Sequence, residues 1–175
     1  MTRDVAAVER STRRAIGSTW NEDERTMMSQ TVEYAFRAMV CLAKASPDPQ
    51  TAEELAKVTH VPPAYLSKVM LSLTRAGLVR SQRGPNGGFT LIKSPARLSL
   101  LEVVNAVDPI QRIRTCPLEI REHGGRLCPL HRRLDRVLAM VESTFAATSL
   151  ADILEETNGS APLCAKGRQS LVALK

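Results

Sequence analysis

Pro62 and Pro63 stand side by side between two short amphipathic stretches, and no other feature of the sequence restricts the fold so tightly. Proline has no backbone N–H and a fixed φ, so it is excluded from a helix interior but tolerated in a first turn. One helix must therefore end before the pair and another begin at it. Upstream, Thr51 and Glu54 have the spacing of a capping box, and Leu55 and Val58 follow as core contacts of a short helix ending near His60. Downstream, a second helix is expected to run to Gly77, a residue suited to the left-handed position beyond a helix C-terminus. Leu66, Val69, Met70 and Leu73 recur at i, i+3, i+4 and i+7 and give it an apolar stripe. Tyr65, Ser67, Lys68, Ser72 and Arg75 lie opposite and carry donors.

After Gly77, Leu78 and Val79 open a strand, residues 83–88 (RGPNGG) supply turn chemistry, and Phe89 and Leu91 alternate back. Residues 51–93 thus read as helix, turn, helix and a β-hairpin wing with a basic tip. Charge decides what such a unit touches. Between residues 55 and 101 the charged side chains are Lys57, Lys68, Arg75, Arg80, Arg83, Lys93 and Arg97, with no Asp or Glu, while the whole chain is only +6. A polyanion suits this field, because each Lys or Arg near a phosphate releases condensed counterions, and the second helix of such a unit fits the major groove. A solvated basic face is the alternative, but these charges coincide with a recognition helix and a Gly-rich wing. The candidate DNA contacts are Thr51, Tyr65, Ser67, Lys68 and Arg75 from the helices, and Arg80, Arg83, Asn86 and Gly87 from the wing.

Around this unit the chain divides into a flexible arm (1–27), a winged helix-turn-helix domain (28–97), a segment of linker helix, loop and long helix (98–157), and a flexible tail (158–175). The arm balances five basic against five acidic residues. A helix from about residue 30 to 44 places Val32, Phe36, Met39, Val40 and Ala43 on one face, with Glu33 and Arg37 spaced as an ordinary i,i+4 ion pair. Cys41 is expected as a small buried apolar residue. Ser99 and Glu102 form a second capping box with Leu98 and Val103 as its staple, opening a helix that Asp108 and Pro109 stop. From Pro129 to about residue 147, Leu130, Leu134, Val137, Leu138, Val141 and Phe145 make a stripe with too little chain left to cover it. A dimer seam against a second copy explains it. The fold class is mainly α with a small β-hairpin: a winged helix-turn-helix domain plus a long C-terminal dimerisation helix. Aromatics make up only 3% of the chain, so the core should be built from Ala, Leu and Val.

Between the last two helices lies a loop without periodicity, and Cys116, Cys128 and His131 fall in or beside it. Their soft and borderline donors, with His131 one turn beyond Cys128, suit a zinc site, an iron–sulfur site, or unliganded side chains, and spacing alone does not separate these. Four cysteines at irregular spacing argue against disulfide staples. There is no C-x-x-C, no phosphate-binding glycine loop and no Ser/His/Asp or paired-carboxylate setting, so an enzyme is not expected. No apolar run is long enough to span a bilayer and the N-terminus has no hydrophobic signal core, which points to the cytoplasm.

Three stretches, TVEYAFRAMVCLA, AYLSKVMLSLTRAGLVRSQRGPNGGFTL and CPLH, resemble the Rrf-two family of bacterial winged-helix regulators over about residues 28–156. The resemblance implies a homodimer on a roughly palindromic operator, and many members carry an iron–sulfur cluster that sets DNA affinity. Cluster-binding members place three cysteines here at C-x5-C-x5-C, sometimes with a histidine three residues later. This chain matches the outer two and the histidine, but has Glu122 at the centre. A [2Fe-2S] cluster, which tolerates imidazole or carboxylate on one iron, is then favoured over a cubane. The implied ligands are Cys116, Cys128 and His131, completed by Glu122 or by Glu33 reaching across from the partner subunit. Fewer thiolates should raise the reduction potential and couple reduction to protonation of His131. The resulting expectation is a DNA-binding repressor controlled by redox state, nitric oxide or iron–sulfur status. The alternative is a cluster-free regulator of the same fold, switched by a small molecule or a partner protein.

Overall fold

The structure, a computed structural model, describes residues 28–84, 87–117 and 126–156. The chain divides into two units, Met1–Gln30 and Thr31–Lys175, and among the described residues the helices and strands lie in the second apart from the first residue of α1. Helix α1 (Gln30–Ala45) buries Val32, Ala35, Ala38 and Met39, then the four consecutive residues Val40, Cys41, Leu42 and Ala43. Four residues in a row cover every side of a helix at 3.6 residues per turn, so the end of α1 is surrounded rather than laid on a surface. Small side chains make that possible. Cys41 is buried, as expected.

Helix α2 (Ala52–Thr59) starts at Thr51, whose hydroxyl accepts the Glu54 N–H while the Glu54 carboxylate accepts the Thr51 N–H. It ends at His60, in the left-handed conformation at φ 55°. Leu55 is buried, but Val58 is 39% exposed and is not a core contact. The inward position one turn after Leu55 belongs instead to Thr59, whose hydroxyl donates to the Leu55 carbonyl at 2.6 Å and so enters the core satisfied. Helix α3 (Pro63–Arg75) begins at the second proline and buries Leu66, Val69, Met70 and Leu73. Gly77, at φ 72°, lets the chain reverse, with the Leu78 N–H donating to the Leu73 carbonyl and the Gly77 N–H to Thr74.

Strands β1 (Val79–Gln82) and β2 (Gly88–Leu91) pair antiparallel, Val79 opposite Leu91 and Gln82 opposite Gly88. The hairpin is anchored by Gln50, which exchanges two backbone hydrogen bonds with Phe89. A side chain at Gly88 would strike the Gln50 backbone at 2.7 Å, so glycine is required where the wing meets the chain before α2. A 3-10 turn (Pro95–Arg97) leads to α4 (Leu100–Val107), capped by Ser99 and Glu102. Leu98 and Val103, the residues of the expected staple, are both fully buried.

Helix α5 (Pro129–Ala147) has no buried residue, and Leu130, Leu134, Val137 and Met140 are 46–62% exposed. Phe145, placed on the exposed stripe by periodicity, instead packs edge-on against Phe36 of α1 in the same chain, ring centres 5.7 Å apart. Helix α6 (Leu150–Glu155) returns to the core through Leu150, and Ser149 bridges Ser99. No helix among the described residues is long and apolar enough to cross a membrane.

Candidate DNA interface and sulfur–imidazole loop

Burial of its apolar stripe turns the other face of α3 outward, and Tyr65, Ser67, Lys68 and Arg75 are all exposed there. Their surroundings differ. The Lys68 ammonium lies 5.5 Å from the centre of the Tyr65 ring, one turn away, and Tyr34 of α1 meets that ring edge-on at 5.9 Å. The Arg37 guanidinium lies 5.8 Å from the Tyr34 ring and bonds Glu33 at 2.9 Å. Cations and rings thus line up from α1 to the recognition helix, each attracted by a π-face. Tyr34 was not singled out from sequence. Its only signal was an aromatic on α1 off the apolar stripe.

Ser67 donates to the Pro63 carbonyl, and Thr51 is occupied as a cap, so both hydroxyls are engaged within their own chain. On the wing Arg80 and Arg83 are exposed, and among the described residues no carboxylate pairs with them or with Arg75. Lys93 is different: it bonds Glu102 at 2.7 Å, so this charge is partly neutralised within the chain. Gly87 sits where a side chain would collide with the Gln82 carbonyl, which makes it a residue of the wing's turn geometry. Asn86 lies outside the described residues.

Cys128 occupies the N-cap of α5 but makes no capping hydrogen bond with its side chain, and Pro129 follows at the first helical position. The thiol turns to His131, one turn on, with Sγ 3.2 Å from Nδ1. Cys116, 15 residues before that histidine, brings its Sγ to 3.8 Å from the same nitrogen. Neither cysteine is in a disulfide, and both are half-buried. Two thiols and an imidazole match in kind the donors that zinc and iron–sulfur centres take. Both sulfurs nevertheless converge on one nitrogen rather than surround a common centre. Among the described residues no group of three or more His, Cys, Asp or Glu is arranged to hold a metal ion. Glu122 lies outside the described residues, and Glu33 is bonded to Arg37.

The loop's approach to α5 is fixed by a residue the sequence did not flag. Arg112 bonds both oxygens of Asp135 at 2.7 Å and Glu142 at 2.8 Å, and the Ile113 N–H donates to Asp135 at 3.0 Å. The Arg112 hydrogen bond holds the Asp135 carboxyl below the usual aspartate range, and the two carboxylates raise the basicity of Arg112.

Residues 28–156 match the sequence pattern of the Rrf2 family, described as an iron-dependent transcriptional regulator. The chain belongs to the Rrf2 family. An HTH-type transcriptional regulator of Aquifex aeolicus is 29% identical over 131 residues, which are 73% of this chain and 91% of that protein. One from Mycobacterium tuberculosis is 32% identical, over 72% of this chain and 80% of that one. Among solved structures, T. potens IscR superposes with a TM-score of 0.64 at 20% identity, covering 83% of this chain and 95% of that one. The global cysteine regulator CymR of B. subtilis gives 0.61 at 24%, covering 73% and 95%. These two establish the fold alone. As an Rrf2 protein the chain is a transcriptional regulator with a winged helix-turn-helix fold, not an enzyme, and regulators of this fold bind DNA.

Proposed function

We propose that this Rrf2 protein is a cytoplasmic homodimeric repressor whose operator affinity is controlled by an iron–sulfur cluster, [2Fe-2S] in type. The convergence of Cys116 and Cys128 on His131 Nδ1, at 3.8 and 3.2 Å, carries the reading. It brings together donors far apart in sequence at the start of the helix whose exposed stripe would form the dimer seam. The family's description as iron-dependent supports it. Cys116, Cys128 and His131 would hold the group, with Glu122 or the partner subunit's Glu33 completing it. When bound, a cluster supplies a centre whose charge and integrity respond to oxidant, nitric oxide or iron supply. The chain's own residues do the rest. His131 and Cys128 are fixed by the first turn of α5, and Cys116 is carried on the loop that follows α4. Recognition residues Tyr65 and Lys68 meet α1 through Tyr34.

A second reading, a cluster-free regulator switched by a small molecule or a partner protein, is favoured by one observation. Both sulfurs lie against the same nitrogen, His131 Nδ1, rather than around a common centre, and Glu33 is engaged with Arg37. Anaerobic purification with iron and sulfide counts, absorption and electron paramagnetic resonance decides between the two. Cys116→Ser and Cys128→Ser should lose iron and visible absorption, while Cys41→Ser and Cys164→Ser keep both. His131→Ala should leave an altered spectrum. Wild-type protein without iron and sulfide would leave the cluster-free reading.

A further inference from the structure

The segment from Asp108 to Cys116 has no regular hydrogen-bonded structure, and such segments are normally the mobile parts of a fold. Cys116 nevertheless comes to rest beside a histidine on another element. The Arg112 fork explains why. Its guanidinium presents three N–H groups to two carboxylates 23 and 30 residues away, whereas the Glu33–Arg37 and Lys93–Glu102 pairs join residues 4 and 9 apart. The three side chains are sheltered, 21–30% exposed. A planar donor fork held by two acceptors fixes direction as well as distance, which a single lysine contact would not.

The placement is the informative part. On α5, His131, Asp135 and Glu142 share one face at 3.6 residues per turn, and Asp135 lies about 6 Å along the axis from His131. Arg112 precedes Cys116 by four residues, a reach of at most about 14 Å. Pinning Arg112 on Asp135 thus confines Cys116 to the neighbourhood of Cys128 and His131, and the Ile113 N–H bond to Asp135 shortens the free tether further. A short tether raises the effective concentration of a donor at its site.

We propose that Arg112, gripped by Asp135 and Glu142, is the positioning residue that places Cys116 with Cys128 and His131 for a soft metal centre. The proposal rests on the metal reading of this loop for its purpose, but its geometry is independent of metal. Outer partners that orient ligands typically change metal affinity about 10–100-fold when removed. The same loss is expected in Arg112→Gln, and Arg112→Lys should not rescue it, because an ammonium cannot make the fork.

The test uses full-length reduced protein under anaerobic conditions, with Co(II) as the probe and, separately, the rate at which a neutral maleimide alkylates Cys116, mapped by mass spectrometry. Arg112→Gln and the milder Asp135→Asn should weaken Co(II) binding about 10–100-fold. They should also reduce the thiolate-to-cobalt absorption to that of Cys116→Ser and accelerate alkylation of Cys116. Asp135→Asn carries the test if Arg112→Gln does not fold, as judged by circular dichroism. Wild-type cobalt affinity, absorption and alkylation rate in both variants overturn the proposal. If wild-type protein shows no thiolate-to-cobalt band, the metal reading falls. The alkylation rates then still decide the clamp: faster in the variants supports it, unchanged overturns it.

Discussion

Lys68 shows how much a single side chain can be read before and after folding. Its place opposite the apolar stripe of α3 follows from periodicity, and it is exposed as that requires. Its station over the Tyr65 ring, and the support of that ring by Tyr34, follow only from the crossing of α1 and α3. Lys68→Ala is predicted to weaken operator binding and to lower the salt slope of log affinity by about one unit, as expected when one phosphate contact is lost. Binding titrations at several salt concentrations measure both, and an unchanged slope with unchanged affinity removes Lys68 from the interface. His131 beside Cys128 was likewise legible, since three residues make nearly one helical turn. Cys116 beside His131 was suggested only by the family resemblance, because no periodicity relates a loop to a helix 15 residues on.

At the scale of elements, the three capping boxes are local, and each was marked by Ser or Thr three residues before an acidic residue. The box at α4 has a further load. Ser99 and Leu98 also pair with the chain before α6, through Leu100 N–H to Thr148 and Leu150 N–H to Leu98. Ser99→Ala should cost about 1 kcal/mol of unfolding free energy, measured by urea titration, and a change within error would show the cap to be redundant. The caps also set a pH dependence. The hydrogen bond from Lys93, then that from the Ser99 N–H, holds the Glu102 carboxyl below its ordinary 4.5, and the Ser149 N–H holds Asp152 below 3.8. A carboxylate whose pKa falls on folding stabilises above its unfolded value and loses that contribution as the pH drops through the folded value. Stability from these caps should therefore be constant between about pH 5 and 8 and decline only in more acid solution. In thermal melts, Glu102→Gln should accordingly differ from wild type at neutral pH and converge with it as Glu102 protonates. The short register errors have an equally local cause. On α2, eight residues long, Val58 and Thr59 are adjacent, and hydrophobicity named the first while geometry buried the second.

For the whole molecule, the stripe Leu130, Leu134, Val137 and Met140 is the feature the monomer leaves unfinished. Fully burying such a side chain is worth roughly 1.5–3 kcal/mol, so covering the half-exposed stripes of two copies would gain on the order of 7–13 kcal/mol, comparable to the roughly 8 kcal/mol of a micromolar dimer. Leu134→Glu and Val137→Glu are predicted to shift sedimentation from dimer to monomer and to weaken operator binding at least about tenfold. Wild-type sedimentation in both would place the seam elsewhere. What the sequence determined by itself was everything governed by local rules: the helix starts at Thr51, Pro63 and Ser99, the turn at Gly77, the hairpin, and the outward basic face of α3. These depend on neighbours within a few residues, where steric limits, capping and periodicity act. The tertiary structure alone decided that Phe145 turns to Phe36, that Gln50 anchors the wing, that Lys93 meets Glu102, and that Arg112 ties the loop to α5. Those contacts join residues whose separation along the chain carries no periodic signal, and only the packing of whole elements brings them within hydrogen-bonding or van der Waals distance.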